Sequence, residues 1–176
     1  LSIGANTLTI HAAITKTAGT MTGGASTNIV FGGSGASTEL PAIALNDLTI
    51  NRANGISLSG SVSVAGTLAL TSGTLTVGAS TLTISGNAPV RTTGNIDAGN
   101  ANGNLVFENS TTITLPTSLF AGAIQKLTIN GLGGITSTEN IIVNGLLNLA
   151  SANPSSTKGA LDMANSSELI MGINAT

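Results

Sequence analysis

One histidine and seven carboxylates are the whole acid–base equipment of this 176-residue chain. A lone imidazole can serve as a general base. His11, however, directly follows the alternating run Leu8-Thr9-Ile10, and the residue that repeats its position is Ser85, which marks His11 as a turn residue. Glu39, Asp47, Asp97, Glu108, Glu139, Asp162 and Glu168 never fall at short spacing, so no local pair can divide acid and base roles. There is no cysteine, hence no disulfide and no thiolate metal site. Calcium-binding nonapeptide repeats need an Asp in each turn, and only three Asp occur. The run from Gly99 to Asn104 offers amide oxygens near Asp97 that a weak surface ion could use, but a polar loop is the favoured reading. Glycines 131, 133 and 134 are not followed by the Lys-Ser/Thr of a phosphate loop. These residues point to no catalytic, cofactor-binding or metal-binding site, no cofactor and no enzyme.

Threonine pairs are the other candidate: Thr7-Leu8-Thr9, Thr74-Leu75-Thr76, Thr81-Leu82-Thr83 and Thr112-Ile113-Thr114. A flat ladder of such pairs can order water at an ice-like spacing. The expected register stacks Ser61/Ser63 under Thr81/Thr83, then breaks the ladder at Ala101-Asn102-Gly103. Thr is also an ordinary outward strand residue.

Composition limits the partners. Charged residues are 7% and aromatics 2% of the chain, and the net charge is −2. The five cations (Lys16, Arg52, Arg91, Lys126, Lys158) are scattered, without the basic patch that nucleic acid or anionic lipid requires. The longest apolar run, Leu119 to Ile124, is far below the roughly 18 residues of a spanning helix. Aromatic girdles of a membrane barrel are missing as well. Neither nucleic-acid binding nor membrane insertion is expected.

The elements that would carry any surface chemistry are short and regular. Leu48-Thr49-Ile50, Ile56-Ser57-Leu58, Val62-Ser63-Val64, Leu68-Ala69-Leu70, Leu75-Thr76-Val77 and Leu82-Thr83-Ile84 each alternate apolar and polar, as half-buried strands do. Gly, Asn or Ser separates nearly every pair. Taken three at a time, Leu48 registers with Leu68, Ile56 with Leu75 and Val62 with Leu82; Leu127 with Leu147 and Leu8 with Ile29 follow the same step. This predicts an all-β fold, a three-sided parallel β-solenoid (β-helix) of about 20 residues per coil, with about nine coils.

A longer period overlies the coil. Residues 1–10 return as 75–84, Asn28–Phe31 as Asn104–Phe107, Leu48–Asn51 as Leu127–Asn130, and Gly66–Leu70 as Gly145–Leu149. The chain therefore divides into long repeat 1 (1–74), long repeat 2 (75–160) and the start of a third (161–176), each roughly 79 residues or four coils. Stretches 16–27, 32–44, 87–103 and 150–160 read as excursions from the coil, and Pro41, Pro89 and Pro154 fall in them. The rival architecture is a pair of antiparallel sandwiches, which Asn-Gly pairs at 54, 102, 130 and 144 favour as hairpin signals. Short strands and the scarcity of Phe favour the solenoid.

The segments Gly73–Ile84 and Leu45–Asn51 resemble the long-repeat regions of giant secreted bacterial surface proteins, adhesins and filaments of the Bacteroidota type, often exported by the type IX route. The resemblance implies an extracellular, cell-surface location without cofactors. The Asp-Ser/Thr glycosylation motif of those bacteria is absent, since Asp47, Asp97 and Asp162 precede Leu, Ala and Met. The expected role is a structural or adhesive repeat module, a spacer or stalk with a polar Thr/Asn-rich face. Expected partners are other copies or further repeats of the chain stacked end to end, and surface glycans or solid surfaces. Two alternatives from other classes are a carbohydrate-binding or carbohydrate-cleaving β-helix and an ice-binding solenoid.

Overall fold

A computed structural model describes residues 1–150, 160–164 and 167–172. Every paired strand runs parallel, and the described residues contain no helix. The chain winds as a β-solenoid of about seven turns, each of about 21 residues. Side one is built from β1 (Thr7–Ile10), β2 (Asn28–Phe31), β5 (Asp47–Asn51), β8 (Leu68–Ser72) and β11 (Val90–Arg91). Side two holds β3 (Thr38–Leu40), β6 (Ile56–Leu58), β9 (Thr74–Thr76) and β12 (Asn95–Asp97). Side three carries β4 (Ile43–Leu45), β7 (Val62–Val64), β10 (Thr81–Ile84), β13 (Asn104–Phe107), β15 (Ile124–Ile129) and β17 (Ile141–Leu149). In the later turns β14 (Ile113–Thr114), β16 (Ile135–Ser137) and β18 (Leu161–Met163) each follow a side-three strand, and so continue side one. The last strand, β19 (Leu169–Met171), stacks on Ile141–Val143.

Strand alternation explains this arrangement. Inward positions such as Leu48, Ile50, Leu68, Leu70, Leu82 and Ile84 are completely buried, and the outward residues between them are polar or small. Each inward residue lies on its counterpart one turn below: Leu8 on Ile29, Leu48 on Leu68, Ile56 on Leu75, Val62 on Leu82, Leu127 on Leu147. The corner from side one to side two is stacked glycine. Gly55 and Gly73 both have positive φ (62° and 79°), and a Cβ on Gly73 would collide with the Arg52 carbonyl one turn away. The Asn-Gly pairs make corners and no hairpins. Asn144-Gly145 instead forms a bulge within β17, opposite Gln125, whose carbonyl leaves no room for a Cβ at Gly145.

Four expectations need correction. The turns number about seven, not nine, because later corners lengthen the coil: Leu82 pairs with Leu105, a step of 23. Thr81/Thr83 accordingly lie under Asn104/Val106, while Ala101-Asn102-Gly103 form the corner directly before β13. The stretches 32–44 and 87–103 are not pure excursions, since they contain β3, β4, β11 and β12. Residues 151–159, with Pro154, lie outside the described residues.

The fourth correction concerns the long repeat. Its matching strands lie on different sides: β1, β2, β5 and β8 on side one return as β10, β13, β15 and β17 on side three. Counted along the chain, β1 to β10 is three full turns plus two sides, so the period is three and two-thirds coils and not four. The opening triplets step the same way. Leu1–Ile3 bridges Thr22, whose neighbour Gly23 abuts β4 on side three; Leu75 and Thr76 lie on side two, and Leu161–Met163 on side one.

Leu82 lies between Val62 and Leu105 and is fully buried, so Leu82→Asp places an unpaired charge in the core. The expected loss is about 4 kcal/mol or more, read from the midpoint of urea unfolding. Thr83→Asp, on the outward side of the same strand, is expected to cost less than about 1 kcal/mol.

Candidate functional site

The residues that sequence reading singled out for chemistry are dispersed around the rod. His11 is exposed, and its ring lies against the backbone of Gly32 and Gly33. Glu39 and Asp97 end one outward column of side two, with Ser57 and Thr76 between them. Asp47 stands on side one, Asp162 is exposed on β18, and Glu108, Glu139 and Glu168 are exposed outside the strands. Among the described residues no three His, Asp or Glu side chains gather where they could hold a metal ion. The polar loop after Asp97 spends its oxygens locally: the Asp97 carboxylate accepts the Gly99 N–H (3.1 Å) and the Asn100 side chain accepts the Asn102 N–H (3.0 Å). Gly131 and Gly133 pack against the backbone of the preceding turn between Glu108 and Thr112, and the Gly133 N–H donates to the Asn109 carbonyl (3.0 Å).

A cleft of about 150 Å³ lies between Pro116–Phe120 and Ser137–Ile142. Ser118, the one non-glycine residue of positive φ among the described residues (54°), donates its N–H to the Glu139 carboxylate there. The Ser137 hydroxyl donates to the Glu139 carbonyl (2.8 Å). That hydroxyl is thus tied to backbone, and the lone carboxylate closes a turn. No nucleophile faces a base in the cleft.

What the polar side chains build is a set of longitudinal ties. At the corner from side three to side one, Asn28 donates to the Thr7 hydroxyl (3.4 Å) and Asn46 donates to the Asn28 amide oxygen (3.1 Å). The Asp47 carboxylate accepts the Thr67 N–H (2.7 Å), and Asn87 donates to the Thr67 hydroxyl (3.1 Å). Five successive turns are linked by this ladder. Further links join Ser72 to Asn51 (3.2 Å) and Thr74 to Asn95 (2.8 Å).

Arg52, one of the five cations scattered along the sequence, is completely buried. Its guanidinium donates to four carbonyls: Gly32 (3.3 Å), Ala36 (3.0 Å), Ile10 (2.9 Å) and Ala12 (3.0 Å). The cation also faces the Phe31 ring, 5.7 Å from its centroid. Three consecutive turns are clamped by one side chain, at a corner where Gly35 lies beside the guanidinium and Gly32 and Gly33 pack against His11. Lysine cannot replace a planar five-donor fork in such a place. Asn109 plugs a later corner, donating to the Thr111 and Gly134 carbonyls (2.6 Å each), while its own Oδ1 has no partner.

Compared with known proteins, the chain matches no family model, no curated protein and no solved structure.

Arg52→Met removes the four donors and leaves the carbonyls buried. The expected cost is on the order of 3–5 kcal/mol in chemical unfolding. Hydrogen exchange of the β1 amides is expected to accelerate in step, and Arg52→Lys is expected to recover only part of the loss.

Proposed function

We propose that the chain is a structural, non-enzymatic repeat module of an extracellular bacterial surface fibre, acting as a spacer that carries polar outward ladders. The observation that supports this reading is the direction in which side chains are used. Apolar residues stack along the rod in one continuous core, and Asn, Thr, Asp47 and Arg52 tie one turn to the next. A rod in which burial is shared only between neighbouring turns gains length without needing a new core. Seven turns at the ~4.8 Å strand spacing give a spacer about 34 Å long. The resemblance of Gly73–Ile84 to giant surface proteins supports the extracellular setting. Further coils of the same kind, from the same chain or from other copies, would continue the parallel pairing at the edge strand β1. Adhesion would then come from many weak contacts summed along the fibre.

Two measurements check this. Negative-stain electron microscopy of the concentrated chain is expected to show thin rods longer than one seven-turn unit, and reducing-sugar assays on common polysaccharides are expected to show no release. Sugar release by the chain, together with compact monodisperse particles, would replace the fibre with the carbohydrate-active alternative.

A further inference from the structure

The third-of-a-turn offset gives this rod two copies of one surface strip on different sides. On side one the outward column starts Thr7, Asn28, Asp47; its repeat on side three reads Thr81, Asn104 and, at the third rung, Lys126. The strips match in strand spacing and in their first two side chains, and carry opposite charge at the third. We propose that these strips bind each other between molecules, side one of one copy lying on side three of a second copy.

Charge is what selects this occupant. The chain holds only five cations and seven acids, so a single opposed pair dominates the field between two faces. Side three has no acid among its outward strand residues, and Lys126 is its one cation. On side one the Asp47 carboxylate is held by the Thr67 N–H and the Asn46 amide, which fixes where the negative charge stands. Arg91, one turn past the strip, turns its guanidinium back to the Thr93 carbonyl (3.3 Å). Side two also has acids, Glu39 and Asp97, and one Thr-Asn step, Thr74 to Asn95, but the rung after that step is Leu119 and carries no charge.

Four rungs by two columns bury only about 200 Å² per partner, against about 800 Å² in a stable complex. One contact is therefore weak, and it gains strength when rods lie side by side and several strips engage. Because the two strips sit on different sides, the contact is heterologous and does not close on itself, so it builds lateral bundles. The proposal rests on the fibre reading and adds the surface by which fibres associate.

Static light scattering of the whole chain tests it, with electron microscopy alongside. Wild type at low salt is expected to show net attraction, a negative second virial coefficient. Lys126→Glu or about 0.5 M salt is expected to turn the sign positive. Asp47→Asn, which keeps an oxygen for the Thr67 N–H, is expected to weaken attraction at least twofold relative to the side-two control Glu39→Gln, which makes the same change in net charge. Unchanged attraction in Lys126→Glu, no attraction in wild type, or loss in the side-two control in place of Asp47→Asn would each overturn the pairing. Micrographs separate the two readings: the pairing governs bundle width, and end-to-end growth governs rod length. Short particles that still attract one another through Lys126 would sink the fibre and keep the pairing.

Discussion

Parallel pairing at a step of one turn is the constraint on which everything else here depends. It sets each inward residue on another inward residue, as in the column Ile43, Val62, Leu82, Leu105, Leu127, Leu147. A three-sided cross-section made mostly of three- to five-residue strands leaves room for Leu, Ile and Val and little else. Only two of the three Phe are fully buried, Phe31 and Phe107, and they occupy equivalent positions in the two long repeats. The corners answer to the same constraint. Backbones of successive turns approach there closely enough that Gly55, Gly73 and Gly94 stack where no Cβ fits. Polar side chains at the corners then satisfy backbone groups that the strands leave unpaired.

Much of this was legible because alternation has a period of two and turn residues interrupt it at a steady interval. The steps Leu48 to Leu68 and Val62 to Leu82 follow from those signals alone. The step from Leu82 to Leu105 was not legible, since the corner between Asp97 and Asn104 is longer and a one-coil extrapolation cannot see an insertion; Leu127 to Leu147 again was. β3 and β4 alternate properly, as Thr38-Glu39-Leu40 and Ile43-Ala44-Leu45, but they flank Pro41 behind a glycine-rich run and so resembled a loop. Arg52 carried a signal that charge concealed: it continues the inward phase of Leu48 and Ile50. A cation at an inward position beside Gly32, Gly33 and Gly35 means a buried fork with carbonyls around it. The unpaired Oδ1 of Asn109 has no counterpart in sequence that would have located it.

The candidate site was legible mainly as a distribution. Acids that never pair along the chain could still have met across turns, and only the fold decides that. Here the coil step works against it. Residues one turn apart stack, and the acids fall on different sides or several rungs apart, as Glu39 and Asp97 do on side two. Local oxygen clusters, such as the Asp97 loop, are consumed by their own backbone amides.

The mismatch between sequence period and coil period has a physical consequence of its own. Had the long repeat spanned four whole turns, each ladder would meet its own copy on the same side, and one face would grow as a uniform flat strip with every added repeat. Long, flat, weakly charged β-surfaces are what promiscuous sheet association requires. With three and two-thirds turns, a ladder such as Thr9, Val30, Thr49, Ala69 ends after four rungs with Val90 above it, and its copy begins on side three. A protein with so few charges cannot rely on net charge for separation. Breaking each ladder by rotation limits how far any one contact extends, and it makes the few charged positions, Asp47 on one side and Lys126 on another, the features that distinguish the sides.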